Sequence, residues 1–418
     1  MPKMKVLISG AGITGNALAY WLSKLGHNVT VIERFPSLRT TGLQIDLRGP
    51  GVKVLKRMGL EEAFRANSVP EQGLAIVDRA NRRRAYFGVN KSGKGLQNFT
   101  TEYEIMRGDL CRIMHDVTKD KVDFRFGVSI GSFKQNGNGV DVEFTDGKAE
   151  RFDFVVGADG VGSNTRKLML GRGAQDAVRP IRGSYTAYFT IPRRIQEGEE
   201  YHSTFYLATG RRAIMTRRHS PDEIQVYLTC NNHSERMKKA HEDGMQEQKN
   251  MLAEIFQDAG WQSKDILRDM FDSDNFYCER IGLVKLDSWY NDKVVLVGDA
   301  AYCPSALTGM GTTCGIVGAY VLAGEIARHC GEGGKTPTDG LDAAFKAYED
   351  TLRPFIDQVT DGVGDDSIFW SLMPESAFAV ALVNLLLGLA AFLRLNVLGK
   401  WILRENVKWT LPEYDELK

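Results

Sequence analysis

Apolar residues recur along the chain in two different rhythms, and the change from one to the other outlines the architecture. Near the start, Lys5-Val6-Leu7-Ile8-Ser9 is a short apolar run of the kind a buried parallel strand requires. Leu18, Trp21, Leu22 and Leu25 follow at helical spacing, Gly26 is placed to end that helix, and residues 28–32 read as a second strand closed by Glu33. Residues 151–156 and 293–297 repeat the apolar strand pattern, and the latter leads on to an Ala/Gly-rich apolar helix ending at about His329. The middle of the chain differs. Residues 184–190 and 223–228 alternate and are rich in β-formers, which predicts an antiparallel sheet roofing a pocket.

The first strand runs into Gly10-Ala11-Gly12-Ile13-Thr14-Gly15, so strand, glycine turn, helix, strand and terminal acid occur in the order of a dinucleotide-binding βαβ unit. Gly10 permits the tight turn, Gly12 lets backbone approach a pyrophosphate, and Gly15 lets helix and strand pack closely. The helix N-terminus offers unpaired N–H groups to phosphate. Glu33 can accept hydrogen bonds from a ribose diol, which favours an adenosine without a 2′-phosphate. Thr14 and Arg34 border the same unit and join it as candidate cofactor contacts. This motif alone does not separate NAD from FAD.

Two later blocks carry that distinction. The second strand-like run enters Gly157-Ala158-Asp159-Gly160-Val161-Gly162, and the third enters Gly298-Asp299-Ala300-Ala301-Tyr302-Cys303-Pro304 followed by Gly309-Met310-Gly311-Thr312-Thr313. With Met106-Arg107-Gly108-Asp109-Leu110, and with Arg353-Pro354 in a closing helix, the chain resembles the p-hydroxybenzoate hydroxylase-like flavin monooxygenases from its start to about Pro354. The resemblance implies that Arg107 reaches FAD, that Asp159 and Gly160 belong to a segment touching FAD and NADPH, and that Asp299 binds the ribityl chain. It also implies that Pro304 lies beside the flavin ring and that the backbone of residues 309–312 meets the ring's pyrimidine end. Three positions depart from the family: Tyr302 stands where many members have His, Met310 where Gln is usual, and Gly318 where Asp is common. These departures bear on the flavin environment rather than on flavin binding. Residues 42–49, 301–304 and 307–311 are most similar to the tetracycline-inactivating branch.

The resemblance further implies an activity. NAD(P)H reduces FAD, oxygen forms a flavin hydroperoxide, and the distal oxygen passes to an aromatic, phenolic or enolic carbon, with a tetracycline-type polyketide as one substrate class. Such chemistry belongs to the cofactor and requires no protein nucleophile. An FAD-dependent dehydrogenase or reductase of the same fold, and a flavin-binding protein without turnover, are the competing readings. The expected fold is therefore α/β. A Rossmann-like FAD domain is assembled from residues 1–72, 91–179 and 285–365, with a β-rich antiparallel substrate domain of residues 73–90 and 180–284. A C-terminal helical segment of residues 366–418 follows. Gln44, Phe189, Phe205, Arg212, Met215 and Pro304 are the candidate substrate contacts.

The apolar run 377–393 is interrupted by Asn384 and Gly388 and flanked by Arg394 and Lys400. A lid or core helix over the cavity, an interfacial membrane anchor and a dimer contact all fit it. Composition narrows the remainder. Across 418 residues, Lys+Arg and Asp+Glu are both 53, so net charge gives no reason to expect nucleic acid as a partner. The six cysteines show neither CxxC nor zinc-ligand spacing, which suits reduced thiols and no metal site. Met1 leads directly toward the first strand without a signal peptide, so a cytoplasmic protein is expected, monomeric or dimeric. Gly127-Val128-Ser129-Ile130-Gly131 matches a nucleophile elbow, but its surroundings predict a strand with no following helix. Gly333-Gly334-Lys335-Thr336 lacks the first glycine of a phosphate loop, and Asn98-Phe99-Thr100 has no meaning as a glycosylation site in a cytoplasmic chain.

Overall fold

The computed structural model describes residues 3–89, 100–137, 139–171, 173–330, 338–364, 373–393 and 407–418. Gly333 to Thr336, Asn98 and Phe99, Arg394 and Lys400, and the domain limits expected at 90/91 and 365/366 lie outside those residues. The first apolar run forms the strand Lys5–Ser9 at the centre of a six-stranded sheet. It pairs in parallel with Asn28–Glu33 on one side and with Phe154–Gly157 on the other. Val294–Leu296 and Asp123–Phe126 extend the parallel array, and only the edge strand Tyr290–Asn291 runs antiparallel. Both faces of such a sheet are buried, which explains the unbroken apolar runs of the three motif-bearing strands.

The helix Ile13–Lys24 packs on this sheet, and the helix Gly311–His329, buried along nearly its whole length, packs in turn on Ile13–Lys24. The Gly127–Gly131 region leads into the strand Ile130–Asn136, which hairpins onto Gly139–Phe144 with no helix after it. The serine there sits on no elbow.

A second, seven-stranded sheet has the order Tyr277–Val284, Val178–Pro192, Glu223–Asn231, Arg212–Arg218, Ser203–Ala208, Gly73–Val77, Arg83–Gly88. It is antiparallel except where Ser203–Ala208 meets Gly73–Val77, which pair in parallel. Those two strands come from distant parts of the chain, so no hairpin fixes their relative direction. Three helices, Glu235–Asp243, Met245–Phe256 and Ser263–Asp272, cover one face of this sheet with a core of Ile214, Val226, Leu252 and Phe256. The other face looks toward the loops at the ends of the six-stranded sheet's strands.

The C-terminal apolar run forms the helix Ala377–Phe392. Val380, Val383 and Leu387 pack against Leu207, Ala213 and Ile281 of the second sheet, in a cluster that includes Phe205 and Leu307. Beyond it the chain end returns to the first domain, where Trp409 stacks near Phe355 at 4.9 Å and the Tyr414 hydroxyl donates to Glu325 at 2.6 Å. No helix among the described residues is long and apolar enough to cross a membrane.

Candidate functional site

The glycine turn does the packing work its spacing predicts. A Cβ on Gly15 would lie 1.9 Å from the Gly10 carbonyl oxygen, so only glycine lets the helix start this close to the strand. Gly12 is different: a Cβ there would meet nothing nearer than Arg107 Nη2 at 3.6 Å. The space above Gly12 is therefore bounded by a guanidinium and by the N-terminus of the helix, a setting suited to a pyrophosphate. Arg107 has no carboxylate partner among the described residues, and its hydrogen bond is to the Thr41 carbonyl at 3.4 Å. Glu33 accepts from the backbone N–H of Ala11 at 3.0 Å and of Phe35 at 3.1 Å, which fixes its carboxylate at the end of the second strand.

Two connected cavities meet at this point. A cleft of about 310 Å³ is lined by Gly10, Gly12, Glu33, Arg34, Arg107 and Asp159. A second cavity of about 580 Å³ shares Gly12, Arg107, Ala158 and Gly160 with the first. It continues past Thr14, Asp299, Gly309, Gly311 and Thr312. One end is thus an adenosine-sized cleft and the other a wider chamber, with the phosphate cradle between them, which is the shape an extended FAD requires. Asp159 also has a local task, since its carboxylate accepts from Thr165 N at 3.0 Å and from the Thr165 hydroxyl at 2.9 Å.

Asp299 sits at the start of the short helix Asp299–Tyr302, directly after the third apolar strand. Burial raises its pKa, while a hydrogen bond from Cys303 and the charge of Arg107 oppose that rise. Pro304 and Met310 are buried and line neither cavity; Met310 belongs to the main core, so the loop meets the chamber through Gly309, Gly311 and Thr312. The departures at Tyr302 and Gly318 are one feature. A Cβ on Gly318 would lie 1.8 Å from the Tyr302 hydroxyl, so the larger side chain at 302 occupies the room left by glycine at 318. That hydroxyl is 3.0 Å from the Tyr348 hydroxyl, which donates to the Leu296 carbonyl at 3.1 Å.

Strand periodicity decides which residues of the second sheet reach the chamber. Phe205, Met215, Tyr227 and Tyr188 are cross-strand neighbours in one row, and all four line it. Gln44 joins them from below. Phe189 and Arg212 do not, and this corrects the sequence expectation. Phe189 is one residue from Tyr188 and so points into the helix-covered core, 6.1 Å from Phe276. Arg212, an odd number of residues from Met215, also turns to the helix side and donates to Asp258 at 2.5 Å.

The same alternation exposes residues that motif reading passed over. Arg217 lies two positions beyond Met215 and lines the chamber. It donates to Glu71 at 3.0 and 3.1 Å and to Glu104 at 2.9 Å, while the Gln44 amide donates to Glu71 at 2.7 Å. Burial alone would depress the Arg217 pKa, but the two carboxylates hold it well above its usual value. Glu104 is pushed up to about 8, first by burial and then by Asp46 and Glu71, against the pull of Arg217. Glu279 is pushed up to about 7 by burial and the nearby Asp299, with a hydrogen bond from Tyr188 opposing. No group of metal-ligating side chains occurs among the described residues.

Residues 3–363 match the FAD binding domain family. The chain is 46% identical over 427 residues to the FAD-dependent monooxygenase asL4 of Sarocladium schorii, covering 100% of this chain and 99% of that protein. It is 40% identical over 405 residues to the flavin-dependent monooxygenase eupH of a Phoma species, covering 94% and 93%. Among solved structures, the tetracycline destructase Tet(55) superposes with a TM-score of 0.78 at 28% identity, over 99% of this chain and 100% of that one. The fold is also that of Klebsiella pneumoniae HpxO complexed with FAD and uric acid, with a TM-score of 0.72 at 20% identity, over 96% and 97% of the two chains. A cradle, chamber and sheet roof on this plan, with relatives of this closeness, mean that the chain belongs to the FAD-dependent monooxygenases and uses FAD as its cofactor.

Proposed function

We propose that this protein uses NAD(P)H and O₂ to hydroxylate an electron-rich carbon of an aromatic, phenolic or enolic substrate, with fused-ring polyketides of the tetracycline type among the compounds that fit. The observation that carries the reading is the 580 Å³ chamber, which has Gly309, Gly311 and Thr312 on its floor and Phe205, Met215, Tyr227 and Tyr188 on its roof. Its volume is that of a small-molecule site, and its rings and thioether suit flat, unsaturated substrates. The names of asL4, eupH and Tet(55) support the same class of reaction.

FAD supplies the electron transfer and the activation of oxygen when bound. Gly12, Arg107 and the helix N-terminus would hold its pyrophosphate, Glu33 its ribose diol, and Asp299 its polyol. The chain's further tasks are to orient the substrate and to keep water out. Arg217, held by Glu71 and Glu104, faces the substrate oxygen and favours its ionised phenolate or enolate form, whose neighbouring carbon is more electron-rich than that of the neutral form. The apolar row above excludes water from the reacting atoms. Residues 1–72, 91–179 and 285–365 serve the cofactor, 73–90 and 180–284 the substrate, and within the C-terminal segment 366–418 the helix Ala377–Phe392 serves as the closing wall.

Oxidation of NADPH and of NADH by the FAD-loaded protein, with and without tetracycline, simple phenols and cyclic 1,3-diketones, tests this. Substrate-stimulated oxidation yielding a product with one added oxygen supports it. Consumption of reductant that no phenol or enol accelerates, with all electrons recovered as hydrogen peroxide, would sink it.

A further inference from the structure

The helix Ala377–Phe392 has two apolar sides, and the sheet uses only one. On the other, Phe378, Leu385, Leu386, Leu389 and Phe392 are between 52% and 84% exposed. Single exposed apolar residues are ordinary, but a stripe of them running the length of a helix marks a surface that meets something apolar. Alongside runs the hairpin between Gly73–Val77 and Arg83–Gly88, and the two approach so closely that a Cβ on Gly388 would stand 2.9 Å from the Arg84 carbonyl oxygen. The hairpin carries Arg79, Arg82, Arg83 and Arg84 against one acid, Asp78, which Arg82 and Arg84 share at 2.9 and 2.6 Å. Helix and hairpin together border a groove of about 980 Å³ lined by Arg79, Arg82 and Arg84, with Asp78 and the Arg212-paired Asp258, on one side and by Leu385, Leu389 and Phe392 on the other.

We propose that this face docks the protein onto the surface of an anionic lipid bilayer, with the helix lying flat in the interface and the arginine hairpin on the headgroups. Three observations choose this occupant. A 16-residue helix is about 24 Å long, shorter than a hydrocarbon core of about 30 Å, and it is fixed sideways on the sheet. An apolar stripe bordered by arginines is the pattern of interfacial helices. Pairing with a second copy about a two-fold axis running across the helix would bring two arginine-rich hairpins toward each other, which disfavours that way of covering the stripe. The inner side of the helix shares a cluster with Phe205 and Leu307, which also line the chamber, so docking would set the chamber's wall against the lipid. The proposal does not depend on the substrate assigned above.

Sedimentation of the full-length, FAD-loaded protein with phosphatidylcholine vesicles, with and without phosphatidylserine, tests it. The protein should sediment with the serine-containing vesicles. The Arg82→Glu, Arg83→Glu double variant should weaken that partition by about fivefold or more per arginine. The Leu385→Ser, Leu389→Ser, Phe392→Ser variant should abolish it, with FAD content and melting temperature unchanged. Should the serine variant lose FAD, the arginine variant carries the test, since its side chains lie outside the core. No sedimentation with either lipid, or sedimentation that the arginine variant does not weaken, would overturn the proposal. So would a dimer that the serine variant dissociates in a protein that ignores vesicles.

Discussion

Gly12→Ala adds one methyl group at the place where the cradle is open, and its effects on folding and on cofactor binding should separate. Gly12 has φ −75° and ψ −174°, an extended conformation alanine adopts without strain, and its Cβ would meet only the end of Arg107 at 3.6 Å. Alanine is a poorer helix cap than glycine, so the apoprotein should lose at most about 1 kcal/mol. With FAD present, the same methyl stands between backbone and pyrophosphate. Displacing tightly packed atoms by one methyl costs about 1–3 kcal/mol, or about 5- to 150-fold in affinity. Titration of FAD with apoprotein, followed by quenching of flavin fluorescence, gives the affinity, and a melt of the apoprotein gives the stability. Gly15→Ala is the contrasting control, because its Cβ collides with backbone at 1.9 Å and should prevent folding itself. An unchanged FAD affinity in Gly12→Ala, or an apoprotein that no longer folds, would refute the assignment of this space to the pyrophosphate.

Gly318→Ala should destabilise the protein by about 1–3 kcal/mol, and Tyr302→Phe, which removes the colliding hydroxyl, should recover part of that loss in a double-mutant cycle of melts. Met215→Ala should raise the KM for a substrate that stimulates NADPH oxidation, whereas Arg212→Ala should leave KM unchanged, because the two side chains lie on opposite faces of one strand. Arg217→Met should cost about 3–5 kcal/mol, as it leaves Glu71 and Glu104 buried without their cation; urea unfolding measures it, and a loss below about 1 kcal/mol would contradict the network. The raised pKa of Glu279 means the native state keeps a proton that the unfolded chain releases. Stability should therefore fall as pH rises from the ordinary carboxylate range through about 7, and Glu279→Gln should flatten that slope.

The three glycine-rich blocks were legible because each packs a backbone turn or strand end so closely against its neighbours that glycine is dictated at fixed spacing, as a Cβ on Gly15, Gly157 or Gly298 would lie within 2.6 Å of another atom. Of the chamber's polar wall, Gln44 was named from the sequence but Arg217 was not. Arg217 and its buried partners Glu71 and Glu104 come from separate segments that only the folded chain brings together. Arg212 and Met215 show what could have been read earlier: an odd separation along one strand places two side chains on opposite faces, so both could not line one cavity. Tyr302 and Gly318 were visible as separate departures from the family, but their complementarity depends on a contact between the short helix after the third strand and the long buried helix. The C-terminal helix was read from its apolarity, which does not tell which face the sheet covers.

Turnover under oxygen-18 gas, with the product of the stimulating phenol or enol examined by mass spectrometry, tests the central claim most directly. The account predicts one atom of the heavy isotope per molecule of product, on a carbon next to the oxygen that Arg217 faces, and loss of that label in Asp299→Ala along with FAD. Product oxygen drawn from water, or oxidation of the substrate with no oxygen added, would contradict it.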